Sequence, residues 1–376
     1  MSSHFGKLKE DWKDIKEIIL YGLGNVTKQH IDTLAKDFRI LAIIDNDPKK
    51  KNTVFRNIPV LDVHAANIEH GKYKVILMTV VQSIQQSMSK ELETLGLKEY
   101  EDFCGIDRFV SEWYWISRQQ TRVFQMDMAV TNLCSLKCKN CNMFVPYYHN
   151  QEKVTERELK ESLELFFLNF DYVYHFSIVG GEPFLNKNVE SVLHLLSENY
   201  LNKINHIKIT TNGTVLPGKE LVELIKECNI EVKVSDYSKH LGYRHKIEKL
   251  CALLEEQHIS YRVLQDLEWK DFGFPHSPCC YKDVEKHRKE CGVTWRGLNE
   301  KKIYYCNVIW SAEKAGLYKT SPQEYLNLEE LYNGKTAKEE ALSFVLGDVE
   351  KEINFCKLCG GCGADNQTIV PAGIQM

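Results

Sequence analysis

Short apolar segments that suit β-strands alternate with amphipathic segments that suit helices between residues 17 and 264, and this alternation constrains the fold of the chain most. Two parallel strands can only be joined by a crossover connection, which is usually a helix. Repeated strand–helix units therefore predict an α/β protein built on parallel sheets.

The first run of this alternation, over residues 14–108, predicts a Rossmann-like parallel sheet. Strands are expected at 17–22, 40–44 and 75–79, with a helix across residues 82–95. The turn Gly22-Leu23-Gly24 follows the first strand and Asp45 ends the second, as in a dinucleotide fingerprint whose third glycine is replaced by Thr27. Gly22, Gly24 and Asp45 are therefore candidate nucleotide-binding residues; the alternative is a domain that only positions another module or mediates oligomerisation.

The alternation resumes on a larger scale from Arg122. Strands are expected near residues 123–130, 172–179, 206–211, 231–235 and 259–264. Five or six such units favour a partial (β/α)6 barrel, whose active site lies at the C-terminal ends of the strands. After residue 270 the alternation stops and cysteines become dense. The predicted domains are 1–110, 121–270 for the barrel, and 271–376 for a small Cys-rich domain.

Composition and charge exclude several classes of function. The chain has 48 Lys and Arg against 52 Asp and Glu, a net charge of −4, so no overall basic field attracts nucleic acid or anionic lipid. Residues 1–20 are rich in charge and no apolar run long enough to span a membrane follows, which predicts a cytoplasmic protein without a membrane partner. In that reducing compartment, 13 cysteines indicate metal binding or chemistry.

Three of these cysteines, Cys134, Cys138 and Cys141, follow the first barrel strand with the spacing C-x3-C-x2-C. A tight loop of this kind can direct three thiolates at one centre and leave one position open on a four-iron cluster. A structural zinc site needs a fourth ligand, and His149 lies eight residues further on without a companion. The spacing therefore favours iron–sulfur ligation.

This motif and its position resemble those of the radical S-adenosylmethionine (SAM) superfamily. The resemblance implies that the three cysteines hold a [4Fe-4S] cluster whose open iron is chelated by SAM. Asn140 stands where the family usually has an aromatic residue.

A second motif strengthens the resemblance. Gly180-Gly181-Glu182-Pro183 ends the second barrel strand and resembles the family segment that holds the amino group of SAM. Asn212 and Ser235, at the ends of the third and fourth strands, are then candidates for the ribose and carboxylate of SAM. Ordinary strand-to-helix turn chemistry is the alternative for Asn212.

A second set of cysteines lies in the C-terminal region and comprises Cys291, Cys306, Cys356, Cys359 and Cys362. With the expected hairpin before Cys306, it resembles the auxiliary-cluster extension called SPASM, or its shorter form, twitch. Four cysteines suffice for one auxiliary [4Fe-4S] cluster, and Cys362 either replaces Cys359 or acts separately. Structural zinc is the alternative, because it selects four thiolates in closed tetrahedral geometry.

The resemblance implies a radical SAM oxidoreductase that receives an electron from flavodoxin or ferredoxin, cleaves SAM to a 5′-deoxyadenosyl radical and abstracts a hydrogen atom from its substrate. The N-terminal domain is similar to modules of sugar-nucleotide-modifying proteins, which favours a sugar, sugar nucleotide or polyol. A peptide that is epimerised or crosslinked is the alternative substrate. A zinc-stabilised nucleotide-binding scaffold is the alternative of another class. Candidate catalytic groups are Asp271, Cys279 and Cys280, with His276 nearby.

Overall fold

Two units make up the chain in its computed structural model, Met1–Phe124 and Gln125–Met376. The structure describes residues 5–66, 68–149, 154–265, 268–292 and 295–376. The α/β class with parallel sheets is confirmed in both units. The Cys-rich region lies within the second unit, and its separation from the barrel at residue 270 stays a prediction.

A six-stranded sheet forms the core of the N-terminal unit, in the order β3-β4-β2-β1-β5-β6. Its strands are β1 (Glu17–Tyr21), β2 (Arg39–Ile44), β3 (Thr53–Phe55), β4 (Ile58–Leu61), β5 (Lys74–Leu77) and β6 (Phe103–Gly105). Neighbouring strands are parallel except for β3, which runs antiparallel to β4. The sequence did not predict β3 because this three-residue strand has no buried face: Val54 at its centre is 68% exposed.

Helical segments complete this unit: α1 (Asn25–Leu34), α2 (Gln82–Thr94), α3 (Ile106–Arg108) and α4 (Tyr114–Arg118). A π-helical turn, Phe109–Trp113, joins α3 to α4. Trp113 is buried, and its ring centroid lies 4.5 Å from that of Phe38. The aromatic run Trp113-Tyr114-Trp115, between the predicted domains 1–110 and 121–270, therefore belongs to the last helical segments of the N-terminal unit.

The second unit is built on an eight-stranded sheet in the order β11-β10-β9-β8-β7-β13-β14-β15. The first five strands in the chain are β7 (Arg122–Ala129), β8 (Tyr172–Val179), β9 (Ile204–Thr211), β10 (Glu231–Asp236) and β11 (Tyr261–Gln265). The helices among them are α5 (Glu156–Asn169), α6 (Asn188–Asn199), α7 (Lys219–Glu227), α8 (Ser238–Leu241) and α9 (Arg244–Glu256). Strands β8 to β11 pair in parallel. Because β11 and β15 are its two edges, the sheet stays open, as a partial barrel requires.

Helix α5 shows how the local sequence fixes one of these elements. Thr155 accepts a hydrogen bond from the Glu158 amide at 3.3 Å, and the Glu158 carboxylate accepts one from the Thr155 amide at 3.1 Å. This reciprocal capping box satisfies two amides that the first helical turn leaves free. Leu159, Leu163 and Phe166 are buried along one side of the helix. The spacing of Thr155 and Glu158 and the periodic apolar residues after them predict a capping box and an apolar stripe, and the helix has both.

The remaining elements follow the barrel strands. They are β12 (Glu268–Lys270), α10 (Val284–Cys291), β13 (Gly297–Asn299), β14 (Lys302–Tyr304), α11 (Asn307–Lys314), β15 (Tyr325–Asn327), α12 (Leu328–Tyr332), α13 (Lys338–Leu346) and β16 (Ile369–Pro371). Strands β12 and β16 form a separate two-stranded sheet. None of the helices in the described residues has the length and apolar character that crossing a membrane requires.

The hairpin β13–β14 turns through two residues in the left-handed region, Glu300 and Lys301, with φ of 53° and 56°. Glycine suits such positions best because it has no Cβ. Lys301 stays there with its amide donating to Ser162 Oγ at 2.8 Å and its ammonium paired with Glu329 at 3.0 Å. These contacts anchor the turn without the glycine that SPASM-like hairpins commonly have.

Asn299 connects this hairpin to the barrel. Strand β13 pairs in parallel with β7, and the Asn299 side chain donates to the Ala129 carbonyl at 2.9 Å and accepts from the Ala129 amide at 3.3 Å. Both residues are buried. The Asn299 side chain thus makes the hydrogen bonds that a neighbouring strand would otherwise make with Ala129, at the end of β7.

Replacing this side chain tests the connection. We expect Asn299→Ala to lower the free energy of unfolding by about 1–3 kcal/mol, because it leaves a buried amide and carbonyl of Ala129 unpaired. Urea denaturation measures the change. Asn333→Ala, at an exposed position, is the matched control and should change stability by less than about 0.5 kcal/mol. Equal effects of the two substitutions would show that Asn299 does not bridge the strands.

Candidate active site

The loop of residues 131–141 leaves the C-terminal end of β7 and carries the first cysteine set; we call it the cysteine loop. The Gly181 amide donates to the Thr131 carbonyl at 2.9 Å, and the Glu182 amide donates to the Leu133 carbonyl at 2.7 Å. A Cβ on Gly181 would lie 2.1 Å from the Leu133 carbonyl oxygen. Glycine is therefore required here so that the two loops can approach each other.

Glu182 ties the ends of two barrel strands together. Its buried carboxylate accepts from the Asn212 amide at 2.7 Å, from Thr211 Oγ1 at 2.8 Å and from the Phe184 amide at 3.1 Å. Burial raises the pKa of Glu182 to about 7, although these donors oppose the shift. Three hydrogen bonds within the protein thus occupy the carboxylate that the sequence assigned to the SAM amino group.

A distant segment, residues 374–376, also pairs with the cysteine loop. Gln375 Oε1 accepts from the Lys137 amide at 2.6 Å, and Gln375 Nε2 donates to Cys138 Sγ at 3.4 Å. The Lys139 amide donates to the Ile374 carbonyl at 2.7 Å. No local pattern predicts this contact, because the partners are 237 residues apart.

Buried thiols with N–H donors characterise the cysteine loop. Cys134 Sγ accepts from the Leu136 amide at 3.4 Å and from Asn212 Nδ2 at 3.5 Å. Burial raises the pKa of Cys134 to about 12 and that of Cys138 to about 11, and it also raises the pKa of Cys141. Such thiols ionise only beside a strong positive charge, which iron supplies. Three cysteines with N–H···S donors suit an iron–sulfur cluster.

A cavity of about 480 Å³ brings most of the expected cofactor residues together. Its wall includes Cys134, Cys138, Cys141, Gly180, Gly181, Asn212, Ser235 and, from the second set, Cys362. Glu182 and Pro183 are buried behind Gly180 and Gly181, which we call the glycine pair. The part of this motif that faces the cavity is therefore its glycine backbone.

The same cavity extends along side chains that the sequence did not single out. They include Gln125, Asp127, Ser177, Lys208, Lys233, Trp269, Trp295 and Asn307. For Lys208 and Lys233 the sequence carries a signal, because alternate residues of β9 and β10 share one face of the sheet. The alternation predicts the strands but does not show which face turns toward the cavity.

Asp271, Cys279 and Cys280 do not belong to the residues that line this cavity. Asp271 borders a neighbouring cavity of about 400 Å³ that His276 also lines, and its carboxylate accepts from Asn140 Nδ2 at 3.3 Å. Asn140, which replaces the usual aromatic residue, thus positions Asp271. Cys280 is exposed, whereas Cys279 is half-buried and burial raises its pKa. The roles assigned to these three residues from the sequence stay predictions.

All five cysteines of the second set are close enough to influence one another. The Cys362 amide donates to Cys291 Sγ at 3.4 Å, and the Gly361 amide donates to Cys359 Sγ at 3.4 Å. The charge of Cys291 contributes to the raised pKa of each of Cys306, Cys356, Cys359 and Cys362. In the described residues no group of three or more His, Cys, Asp or Glu is arranged to hold a metal ion, so each set is a neighbourhood of thiols rather than a closed coordination shell.

In the N-terminal unit, Asp45 folds back on the glycine turn. Its carboxylate accepts from the Leu23 amide at 2.7 Å and pairs with Lys50 at 3.1 Å. Gly22 adopts φ of +106°, which favours glycine, and Gly24 is the N-cap of α1. The turn has the expected position between strand and helix, but groups of the protein occupy the oxygens of Asp45. Nucleotide binding here stays a prediction.

Two family models match the chain. The model of the radical SAM superfamily matches residues 128–249, and the model described as C2185-like, N-terminal, matches residues 14–102. The first match contains the cysteine loop, the glycine pair and the ends of β9 and β10. Residues 128–249 thus form a domain of the radical SAM superfamily. Its members use a [4Fe-4S] cluster and SAM, which the donors of the cysteine loop fit.

Relatives of this radical SAM protein match it over part of their length. An uncharacterized protein of Methanocaldococcus jannaschii is 32% identical over 111 residues, 29% of this chain and 36% of that protein. A GTP 3′,8-cyclase of Alkaliphilus oremlandii is 28% identical over 113 residues, 29% of this chain and 33% of that protein. The chain thus spans about a third of the length of these curated relatives. The crystal structure of BtrN in complex with AdoMet and 2-DOIA covers 65% of this chain and 96% of its own, with 16% identity and a TM-score of 0.38.

The contact between the glycine pair and the cysteine loop can be tested by Gly181→Ala. We expect the added Cβ to displace the Leu133 carbonyl and lower the free energy of unfolding by about 1–3 kcal/mol. Iron bound per chain after anaerobic reconstitution should fall as well. Gly218→Ala is the control, because open space surrounds Gly218. Unchanged iron content and stability in Gly181→Ala would contradict the required close approach.

Asp45→Asn tests whether Asp45 stabilises the fold. Burial alone would raise the pKa of Asp45, but hydrogen bonds from the Asp47 and Leu23 amides and from Lys50 lower it below 3.8. A lowered folded-state pKa means that the charge stabilises the fold above about pH 4 and loses this effect as the pH falls further. We expect the variant to lose about 1–3 kcal/mol at pH 7 and the difference from wild type to shrink below pH 4.

Urea unfolding at several pH values measures this difference. Asp14→Asn, at an exposed position, serves as the control and should match wild type throughout. A destabilisation by Asp45→Asn that does not change with pH would show that the charge of Asp45 is not the cause.

Proposed function

We propose that the chain is a radical SAM enzyme that removes a hydrogen atom from a sugar, sugar nucleotide or polyol and oxidises it. One observation supports this most: the cysteine loop, the glycine pair and the polar inner face of the barrel border a single cavity of about 480 Å³. A substrate in the barrel would therefore lie beside the cofactor without crossing bulk water. Enclosure of this kind protects a reactive intermediate from side reactions.

Cys134, Cys138 and Cys141 would hold the [4Fe-4S] cluster, and Gly180, Gly181, Asn212 and Ser235 would surround SAM. When bound, these cofactors supply an electron and the 5′-deoxyadenosyl radical that abstracts hydrogen, with reduced flavodoxin or ferredoxin as the proposed electron donor. Asn212 Nδ2 donates to Cys134 Sγ and Gln375 Nε2 to Cys138 Sγ. Such donors stabilise the negative charge of the thiolates and thereby influence the reduction potential.

Four or five cysteines of the second set would hold an auxiliary [4Fe-4S] cluster. Cys362 lines the main cavity, so this group lies beside the space proposed for the substrate. A cluster held there would supply an electron acceptor beside the substrate. After hydrogen abstraction, loss of one electron to that acceptor and of the hydroxyl proton to solvent would make the net reaction an oxidation. The arrangement supports Cys362 as a member of the group rather than a separate thiol, because its amide donates to Cys291 Sγ.

The chemistry of the wall favours a hydroxylated substrate. Trp269 and Trp295 offer aromatic faces, and Ser177, Asn307 and Gln125 offer polar groups on the same cavity. Ligand sites commonly combine apolar faces with a few polar groups that fix orientation. A peptide remains the alternative occupant that a substrate panel must include.

Two cysteine variants separate the proposed roles of the two sets. Cys138→Ala should abolish reductive SAM cleavage, a fall of about 100-fold or more, because even groups that only support a metal ligand contribute 10- to 100-fold. Cys359→Ala should retain cleavage but lose substrate turnover. Cys251→Ala, on α9 and outside both sets, is the control. Deoxyadenosine formation and iron per chain are the measurements, made on anaerobically reconstituted protein.

Retained SAM cleavage by Cys138→Ala would overturn the assignment of the cysteine loop. Zinc in place of iron in the wild-type chain after anaerobic reconstitution would favour the scaffold protein instead. Transfer of deuterium into deoxyadenosine from labelled sugars, but not from labelled peptides, would identify the substrate class.

A further inference from the structure

The side chains that point into a barrel are usually apolar and pack in layers. In this barrel some of the inward-facing side chains are charged. Asp127 on β7, Ser177 on β8, Lys208 on β9 and Lys233 on β10 all line the main cavity. Ser177 lies opposite Lys208 in the register of β8 and β9. These four residues, which we call the charged layer, are distinct from the cysteine loop.

Lys208 makes no close ion pair. Among the described residues its ammonium has no hydrogen bond and no carboxylate within 4.0 Å, and burial lowers its pKa although the more distant charges of Asp127 and Glu231 oppose this shift. Asp127 is the nearest member with opposite charge, and its carboxylate already accepts from Asn307 Nδ2 and Gln125 Nε2, each at 3.1 Å. The charged layer therefore contains two ammonium groups and one carboxylate. A buried charge without a close partner is costly, so an anion at this point would be stabilised.

Two further polar atoms in the wall, Ser177 Oγ and Asn307 Oδ1, belong to residues that are 1% and 5% exposed. Within the part of the chain that the structure describes, neither atom has a partner at hydrogen-bond distance and angle, although Ser177 is close enough to Asp127 to lower the pKa of that carboxyl. Buried polar atoms are nearly always satisfied, so such exceptions mark places that a ligand or water completes. A carbonyl oxygen such as Asn307 Oδ1 needs a donor, and the hydroxyl group of a ligand is one.

We infer that the charged layer binds an anionic group, a phosphate or a carboxylate, on the hydroxylated substrate. Lys208 and Lys233 would pair with the anion, while Asn307 Oδ1 and Ser177 Oγ would bind hydroxyl groups. This inference rests on the proposed function for the role of the ligand as substrate, but the anion site itself can be tested without turnover. An anion site here narrows the proposed substrate class to sugar phosphates, sugar nucleotides or sugar acids.

The experiment uses the full chain after anaerobic cluster reconstitution and measures its melting temperature, Tm, in inorganic phosphate, in gluconate and in chloride at equal ionic strength. A ligand that binds the folded state raises Tm with its concentration. We expect phosphate, gluconate or both to raise Tm above the chloride value. The anion that acts distinguishes a phosphorylated substrate from a sugar acid. Equal Tm values in all three salts would overturn the inference.

Lys208→Met separates specific binding from the general stabilisation of proteins by phosphate. The variant should lose the anion-dependent rise in Tm, with affinity reduced by about 10-fold or more. Without the anion its Tm should stay close to that of the wild type, because the gain from removing a half-buried ammonium is offset by the loss of its attraction to Asp127. Lys249→Met, exposed on α9, is the matched control and should keep the full rise. Should Lys208→Met fail to fold, Lys208→Gln provides the same comparison.

SAM carries a carboxylate group, which could be the occupant of the charged layer. SAM affinity is therefore measured in the same proteins, and we expect Lys208→Met to change it by less than about 3-fold. A loss of SAM affinity as large as the loss of phosphate affinity would overturn the inference. Wild-type protein that cleaves SAM but shows no anion effect contradicts this inference alone. Wild-type protein that binds anions through Lys208 but holds no iron contradicts the proposed function instead.

Discussion

The close contact between the glycine pair and the cysteine loop is the constraint on which the site depends. Gly181 approaches the Leu133 carbonyl so closely that no side chain fits between them, and two backbone hydrogen bonds hold the loops together. Glu182 then fixes the glycine segment to the end of β9. The loop that carries the cysteines is therefore held by the strand ends of the barrel, and its position follows from the sheet.

Glu182 lies at the strand end where the sequence predicts it, but its carboxylate has a different role from the predicted one. The sequence placed Glu182 at the end of a strand and assigned its carboxylate to a ligand. In the structure this carboxylate is buried under three hydrogen bonds from the protein. The backbone of the glycine pair faces the cavity instead. A short motif can thus serve a site by holding its loops in place rather than by binding the ligand.

The sequence was sufficient for features that depend on short-range order. Apolar periodicity located β1, β2, β5 and the barrel strands, and the spacing of Thr155 and Glu158 located the start of α5. The sequence was insufficient for contacts between residues that lie far apart in the chain. Gln375 and Asn299 both act on residues far away in the chain, and no local pattern marks them. The inward face of β9 could be predicted only in part. Alternation shows that Lys208 and Thr210 share a face, but the charged cavity wall that this face forms depends on its neighbours β8 and β10.

The pairing of residues 374–376 with the cysteine loop has a consequence for the order of assembly. During synthesis the loop is complete long before Gln375 exists, since 237 residues separate it from Cys138. Contacts between such distant residues form late, because they require the chain between them to be ordered first. Until residues 374–376 are made and pair with the loop, the thiol of Cys138 therefore lacks its contact with Gln375 and stays more open to metals and oxidants. Iron would therefore reach the cysteine loop most easily before this contact forms.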